Sequence, residues 1–177
     1  KRQMLYTGYV HRGPAAVRYP RGTGPGVPIE QAMQALPIGR AERCREGRGV
    51  AILSFGALLH LARQAGDKLD ATVVDMRFVK PLDQDEIATL AAGHDLLVTL
   101  EDGSVAGGAG AAVSEYLASQ GILVPVLHLG LPDRFLDHGK REDLLASVGL
   151  SAQGIEDSIV ARLELLAGPQ RQTLKGG

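Results

Sequence analysis

Val73-Val74-Asp75-Met76-Arg77-Phe78-Val79-Lys80-Pro81-Leu82-Asp83 is an apolar run that stops at a charged turn containing proline. Val73, Val74 and Met76 suit a strand covered on both faces. Pro81 has no N–H for a ladder, so the strand ends before it. Asp83, with Glu86 three residues on, reads as a helix N-cap with a box-like partner. The reading is strand, turn, helix. Arg77 and Lys80 then stand at the strand's carboxyl end, where open α/β sheets place functional groups.

Working outward, the same alternation repeats. Strands are expected over 50–55, 71–76, 95–100 and 124–129, and helices over 57–65, 84–92, 109–119, 141–148 and 151–166. Ile155, Ile159, Val160, Leu163 and Leu166 form one apolar stripe at helical spacing. Residues 36–45 are polar, and Glu46-Gly47-Arg48-Gly49 reads as a turn. This arm is expected to form a hairpin with 50–55, as an antiparallel edge strand. The fold class is α/β: three layers, α/β/α, around a mostly parallel sheet of about five strands with one antiparallel edge strand.

Ahead of this unit, Met4, Leu5 and Tyr6 read as a helix end, and Arg12-Gly13-Pro14 as a turn. Ala15-Ala16-Val17 reads as a short strand running into Arg18-Tyr19-Pro20-Arg21-Gly22. Gly22, Gly24, Pro25 and Gly26 then read as a linker. The expected division is 1–28, a piece of another domain plus linker; 29–168, the α/β domain; and 169–177, a flexible tail. The chain starts at Lys1 rather than Met, which reads as a fragment or a cleaved chain.

The 177 residues carry a net charge of −1, so no global field points to nucleic acid or to an anionic membrane. Apolar residues make up 45% with no Trp, so the core is expected to be Ala, Val, Leu and Ile. Cys44 is the one cysteine, which excludes an internal disulfide and fits a reducing compartment. No apolar run reaches membrane-spanning length, and no secretory leader is visible.

Several stretches invite a chemical reading. Glu101-Asp102-Gly103-Ser104-Val105-Ala106-Gly107-Gly108-Ala109-Gly110 follows a strand and opens a helix, as phosphate-binding loops do. It lacks the Lys-Ser/Thr ending of a P-loop, and tight strand–helix packing is the better reading. Glu101 suits a buried carboxylate accepting backbone N–H groups. His11, His60, His94, His128 and His138 have no second His or Cys at metal-ligand spacing and read as structural or solvated. Asp133, Asp137 and His138 share one loop, as a lesser candidate. Ser54 and Ser104 lack a nucleophile elbow. Arg18 and Arg21 flank a proline turn, and planar guanidinium forks suit phosphate or carboxylate.

Taken together, five segments resemble the carboxyl-terminal part of bacterial 1-deoxy-D-xylulose-5-phosphate synthases, in the transketolase-like superfamily. They are Pro14-Ala15-Ala16-Val17-Arg18-Tyr19-Pro20-Arg21-Gly22, Leu36-Pro37-Ile38-Gly39, the 74–83 string, Gly107-Gly108-Ala109-Gly110 and Gly130-Leu131-Pro132-Asp133. The resemblance covers nearly the whole chain. It implies an enzyme that uses thiamine diphosphate and magnesium to condense pyruvate with D-glyceraldehyde 3-phosphate, releasing CO2. The product feeds isoprenoid, thiamine and pyridoxal synthesis. It also implies a cytoplasmic homodimer, with 1–28 as the end of the pyrimidine-binding domain and 29–168 as the carboxyl-terminal domain.

By the same resemblance Arg21 holds the acceptor's phosphate, with Arg18 beside it. The cofactor, metal and catalytic residues belong to upstream parts, so none lies in this chain and the isolated piece is expected to be inactive. Where relatives often carry Glu-Glu-Asn, this chain has Glu101-Asp102-Gly103. The alternatives are the beta chain of a 2-oxo-acid dehydrogenase, a non-catalytic interaction module, or a nucleotide-binding protein reading phosphate at Gly107–Gly110.

Overall fold

All six residues of Val50–Phe55 are buried, and their alternation sorts two cores. In the computed structural model, which describes residues 2–20, 28 and 31–168, this strand is β2. Val50 and Ile52 face one side, with Leu58, Ala62 and Ala65 of the α2 segment and Ile155 and Ile159 of α6. Ala51, Leu53 and Phe55 face the other, with Ile87 and Leu90 of α3 and Val113 and Leu117 of α4. A strand of period two clothed by helices on both faces is the three-layer arrangement.

The elements are α1 (Arg2–Val10), β1 (Glu42–Arg45), β2 (Val50–Phe55), α2 (Leu59–Leu69), β3 (Thr72–Asp75), α3 (Gln84–Gly93), β4 (Leu96–Ser104), α4 (Ala109–Ser119), β5 (Val126–Leu131), α5 (Arg141–Ser147) and α6 (Ala152–Ala167). The sheet order is β1-β3-β2-β4-β5. β1 runs antiparallel to β3 and the other neighbours are parallel, with Ile52 level with Val73 on one side and Val98 on the other. The expected fold class is the observed one.

The expected hairpin is not formed. β1 pairs with β3, Glu42 opposite Asp75, because both edges of β2 are taken by parallel neighbours. The connection instead passes the start of β3. A Cβ on Gly47 would lie 2.3 Å from the Asp70 carbonyl oxygen, and the Gly47 N–H donates to Thr72 Oγ1. Arg45 fastens the arm to the end of α2, donating to Asp67, Asp70 and the Ala71 carbonyl.

Other differences are local and have local causes. Residues 15–17 have no ladder partner among the described residues; Ala15 and Val17 instead pack against Gly8 of α1. Met4, Leu5 and Tyr6 lie inside α1 rather than at its end. α2 runs past the expected end to Leu69, where Asp70 closes it in a left-handed conformation. β4 continues through the expected turn to Ser104, since beyond a register shift Ser104 still pairs with Leu131 of β5. Asp83 caps α3 by accepting from the Glu86 N–H, but the Glu86 carboxylate turns away to Arg43, so the capping box is half formed. On α6, Ile155 and Ile159 are buried, whereas Val160 and Leu166 are exposed, so the stripe is narrower than its spacing suggests. The glycine linker of 22–26 and the 169–177 tail lie outside the described residues.

Candidate functional site

α2 leaves β2 onto one face of the sheet and α4 leaves β4 onto the other. The carboxyl ends of these adjacent parallel strands therefore form the switch point where α/β sheets keep their sites. Gly56 (φ 87°) turns the chain away from β2, a conformation that suits glycine. On the β4 side of the gap stand Glu101 and Asp102, both buried.

Glu101 turns into the sheet-to-helix joint. One carboxylate oxygen accepts the Ala109 N–H at 3.0 Å and the other the Gly110 N–H at 2.9 Å. Two orphan donors at the start of α4 are thus met by a charge that also suits the helix dipole. The glycines make this approach fit. A Cβ on Gly108 would sit 2.5 Å from both Glu101 oxygens and 2.2 Å from the Ser104 carbonyl. A Cβ on Gly110 would sit 2.4 Å from Thr99 Oγ1 and 2.7 Å from His128 Nδ1. The glycines serve strand–helix packing, and the anion held at this helix start is the protein's own carboxylate. That overturns the nucleotide-phosphate reading of Gly107–Gly110.

Beneath α4, His128 on β5 bridges two hydroxyls: Thr99 Oγ1 lies 2.7 Å from Nδ1 and Ser114 Oγ lies 2.9 Å from Nε2. Burial holds the His128 pKa below its ordinary value; the nearby Glu101 charge opposes this and Arg162 adds to it.

Asp102 turns the other way, to the strand ends, and only 7% of its side chain is exposed. Arg18 grips it twice, Nη1 to Oδ1 at 2.5 Å and Nη2 to the Asp102 main-chain carbonyl at 2.9 Å. Arg141, the first residue of α5, donates to Oδ2 at 3.1 Å. A single carboxylate therefore gathers three separate parts of the chain. Ser54 and Ser104 have buried hydroxyls without a hydrogen-bond partner among the described residues.

Of the expected site residues, Arg18 is in this cluster and Arg21 lies outside the described residues. Arg77 does stand at the end of β3, yet its guanidinium is paired with Glu42 and Asp75. Lys80 is exposed in the turn that follows. Asp133, Asp137 and His138 are all exposed. Asp133 lines an open groove of about 460 Å³ with Ser104, Pro132 and Phe135. Among the described residues no three His, Cys, Asp or Glu side chains gather to hold a metal ion. Asp102 and Arg141 were not singled out as site residues. The only signal for them was a second acidic residue at the end of an apolar strand.

Residues 39–155 match the model of the transketolase C-terminal domain. The 1-deoxy-D-xylulose-5-phosphate synthase of Thioalkalivibrio sulfidiphilus (strain HL-EbGR7) is 61% identical over 92% of this chain and 25% of its own length. That of Cellvibrio japonicus (strain Ueda107) is 59% identical over 94% of this chain and 26% of its own. The chain spans about a quarter of the length of these curated relatives. A split-gene transketolase solved as an inactive beta4 tetramer shares the fold with a TM-score of 0.68 and 30% identity, over 83% of this chain and 47% of that one. The transketolase of Campylobacter jejuni shares the fold alone, with a TM-score of 0.51 and 17% identity over 70% of this chain and 18% of that one. The domain model covers well over half of this chain, and the chain belongs to the transketolase C-terminal domain family.

Proposed function

We propose that this chain is the carboxyl-terminal part of a 1-deoxy-D-xylulose-5-phosphate synthase. The whole enzyme condenses pyruvate with D-glyceraldehyde 3-phosphate and releases CO2, the first step of a non-mevalonate isoprenoid route that also feeds thiamine and pyridoxal synthesis. The observation that carries the reading is the high identity to synthases of that name across nearly all of this chain. The division into 1–28, 29–168 and 169–177 belongs to the same proposal, as do a homodimer and a cytoplasmic location. No described helix is long and apolar enough to cross a membrane, which is compatible with that location.

In this reading the chain contributes binding rather than bond-breaking. Arg21 holds the acceptor's phosphate. Arg18 spends two N–H groups on Asp102 and keeps the rest of its five for the same site. A phosphate remote from the reacting aldehyde supplies binding energy that orients the carbonyl. Thiamine diphosphate with magnesium does not fit the described residues, which offer no cluster of metal-ligating side chains. Upstream parts of the enzyme hold both, and this chain carries no step of the reaction.

Arg21→Ala in the full-length protein tests the reading. Losing a charge-assisted phosphate contact costs about 1.5–3 kcal/mol, so the KM for D-glyceraldehyde 3-phosphate should rise at least tenfold while that for pyruvate stays nearly unchanged. Equal damage to both substrates refutes the assignment.

A further inference from the structure

Beside the Asp102 cluster lies a surface that the sheet itself does not use. Ser104, two residues further along β4, lines the open groove of about 460 Å³ together with Leu131, Pro132, Phe135 and Leu136. The Phe135 side chain is fully exposed. A single exposed apolar residue is ordinary on a protein surface, and Leu123, ahead of β5, is one. Phe135 differs because its neighbours form a concave apolar strip, with the exposed Asp133 and Arg134 beside it. An aromatic anchor, an apolar hollow and a charged rim are what a protein contact is made of.

The chain is fastened next to this groove. Arg18, in the segment that follows α1, grips Asp102 at two points, which fixes orientation as well as distance. Arg141, at the end of the loop that begins with Pro132, holds the other carboxylate oxygen. One carboxylate thus ties the segment and the groove's own loop to the same strand end. α1 packs on that segment, with Val17 and Ala15 against Gly8. It carries exposed apolar residues of its own, Leu5, Tyr9 and Val10.

We propose that the groove around Phe135 is the docking surface for the part of the same polypeptide that precedes Lys1. Such a part exists if this chain is the carboxyl-terminal piece of a longer synthase, so the surface rests on that reading. The chain spans about a quarter of the length of its curated relatives, and in that reading a larger body is joined to α1. A body joined there, with Arg18 clasped two residues from the groove's first residue, meets the groove at an effective concentration that a second copy in solution does not reach. Docking takes the Phe135 ring and the apolar strip out of water together.

The test is photo-crosslinking in the full-length protein. The probe is p-benzoylphenylalanine, introduced in place of Phe135 and, in separate variants, in place of Arg134 and of Leu123. All three side chains are exposed, and at Phe135 the probe keeps the aromatic body, so the fold tolerates it. Denaturing gels separate crosslinks within one chain from crosslinks between two, and peptide mass mapping names the residues reached. The expected result is a crosslink within one chain, from position 135 or 134 to peptides that precede Lys1, in a yield at least about tenfold above that from position 123. A crosslinked product of dimer mass alone puts a second copy in the groove and overturns the proposal. Crosslinks confined to residues 1–177, no crosslink from either position, or an equal yield from position 123 overturn it as well. Turnover of pyruvate and D-glyceraldehyde 3-phosphate by the wild-type protein decides the synthase reading separately. An active enzyme without the upstream crosslink loses the docking surface and keeps the reading. An inactive one loses the reading, and the crosslink still decides the surface.

Discussion

Replacing Glu101 by Gln should destabilise the domain far more than a surface charge change would. The carboxylate accepts from Ala109 N–H at 3.0 Å and Gly110 N–H at 2.9 Å, and these bonds are buried. An amide keeps one acceptor oxygen but turns its NH2 towards the other N–H. One of two charge-assisted bonds is lost, a donor is left buried without a partner, and the charge that suits the start of α4 disappears. A buried unsatisfied donor costs about 1–3 kcal/mol and the helix-terminus charge about 0.3–1 kcal/mol. The sum is roughly 1.3–4 kcal/mol. At about 2–4 °C per kcal/mol for a chain of this size, Tm should fall by roughly 3–16 °C. Glu101→Ala, which leaves both donors bare, should fall further unless water enters. The assay is thermal and urea unfolding followed by circular dichroism. A Glu101→Gln protein that melts within about 1 °C of wild type would refute the view that this carboxylate seals the joint.

Two further outcomes are expected in the same assays. Gly108→Ala drives a Cβ against the Ser104 carbonyl and both Glu101 oxygens, so it should cost about 2–4 kcal/mol, whereas Gly121→Ala, with φ 65° but open space around it, should cost about 1 kcal/mol. His128, whose folded pKa is held below its unfolded value near 6.5, should leave stability unaffected at higher pH and lower it as pH falls below about 6.5, because the unfolded chain then binds the proton more readily. The loss should level off below the folded pKa. His128→Gln should flatten the difference in urea midpoint between about pH 7.5 and about pH 5, and an unchanged difference would show that another group is responsible.

The parts of the structure that depend on near neighbours were legible in the sequence. Val50–Phe55 with its Gly56 exit, the Asp83 cap and the Glu101 carboxylate accepting backbone N–H groups are all written in residue type and short spacing. Partnership between distant segments was not. The polar arm is an antiparallel edge, as its charged residues predict, but turn residues at 46–49 cannot tell a hairpin from a crossing over β3, since that depends on which strands fill the flanks of β2. Asp102 meets Arg18 across 84 positions and Arg141 across 39, and neither pair leaves a trace in local pattern. The functional reading came from the resemblance of several weak motifs together, because net charge, histidines and serines point nowhere in particular.

The place of β1 has a consequence for how the domain assembles. β1 precedes β2 and β3 in the chain, yet its ladder is offered only by the outer edge of β3. During synthesis the arm therefore leaves the ribosome before its docking edge exists. It must wait, unpaired, until β3 has closed onto β2 through the α2 crossover, and loop closure of that kind precedes any gain from the pairing. Charged Arg43 and Arg45 keep the waiting arm from joining a sheet of another chain, so the strand that has to wait is guarded against finding a wrong partner.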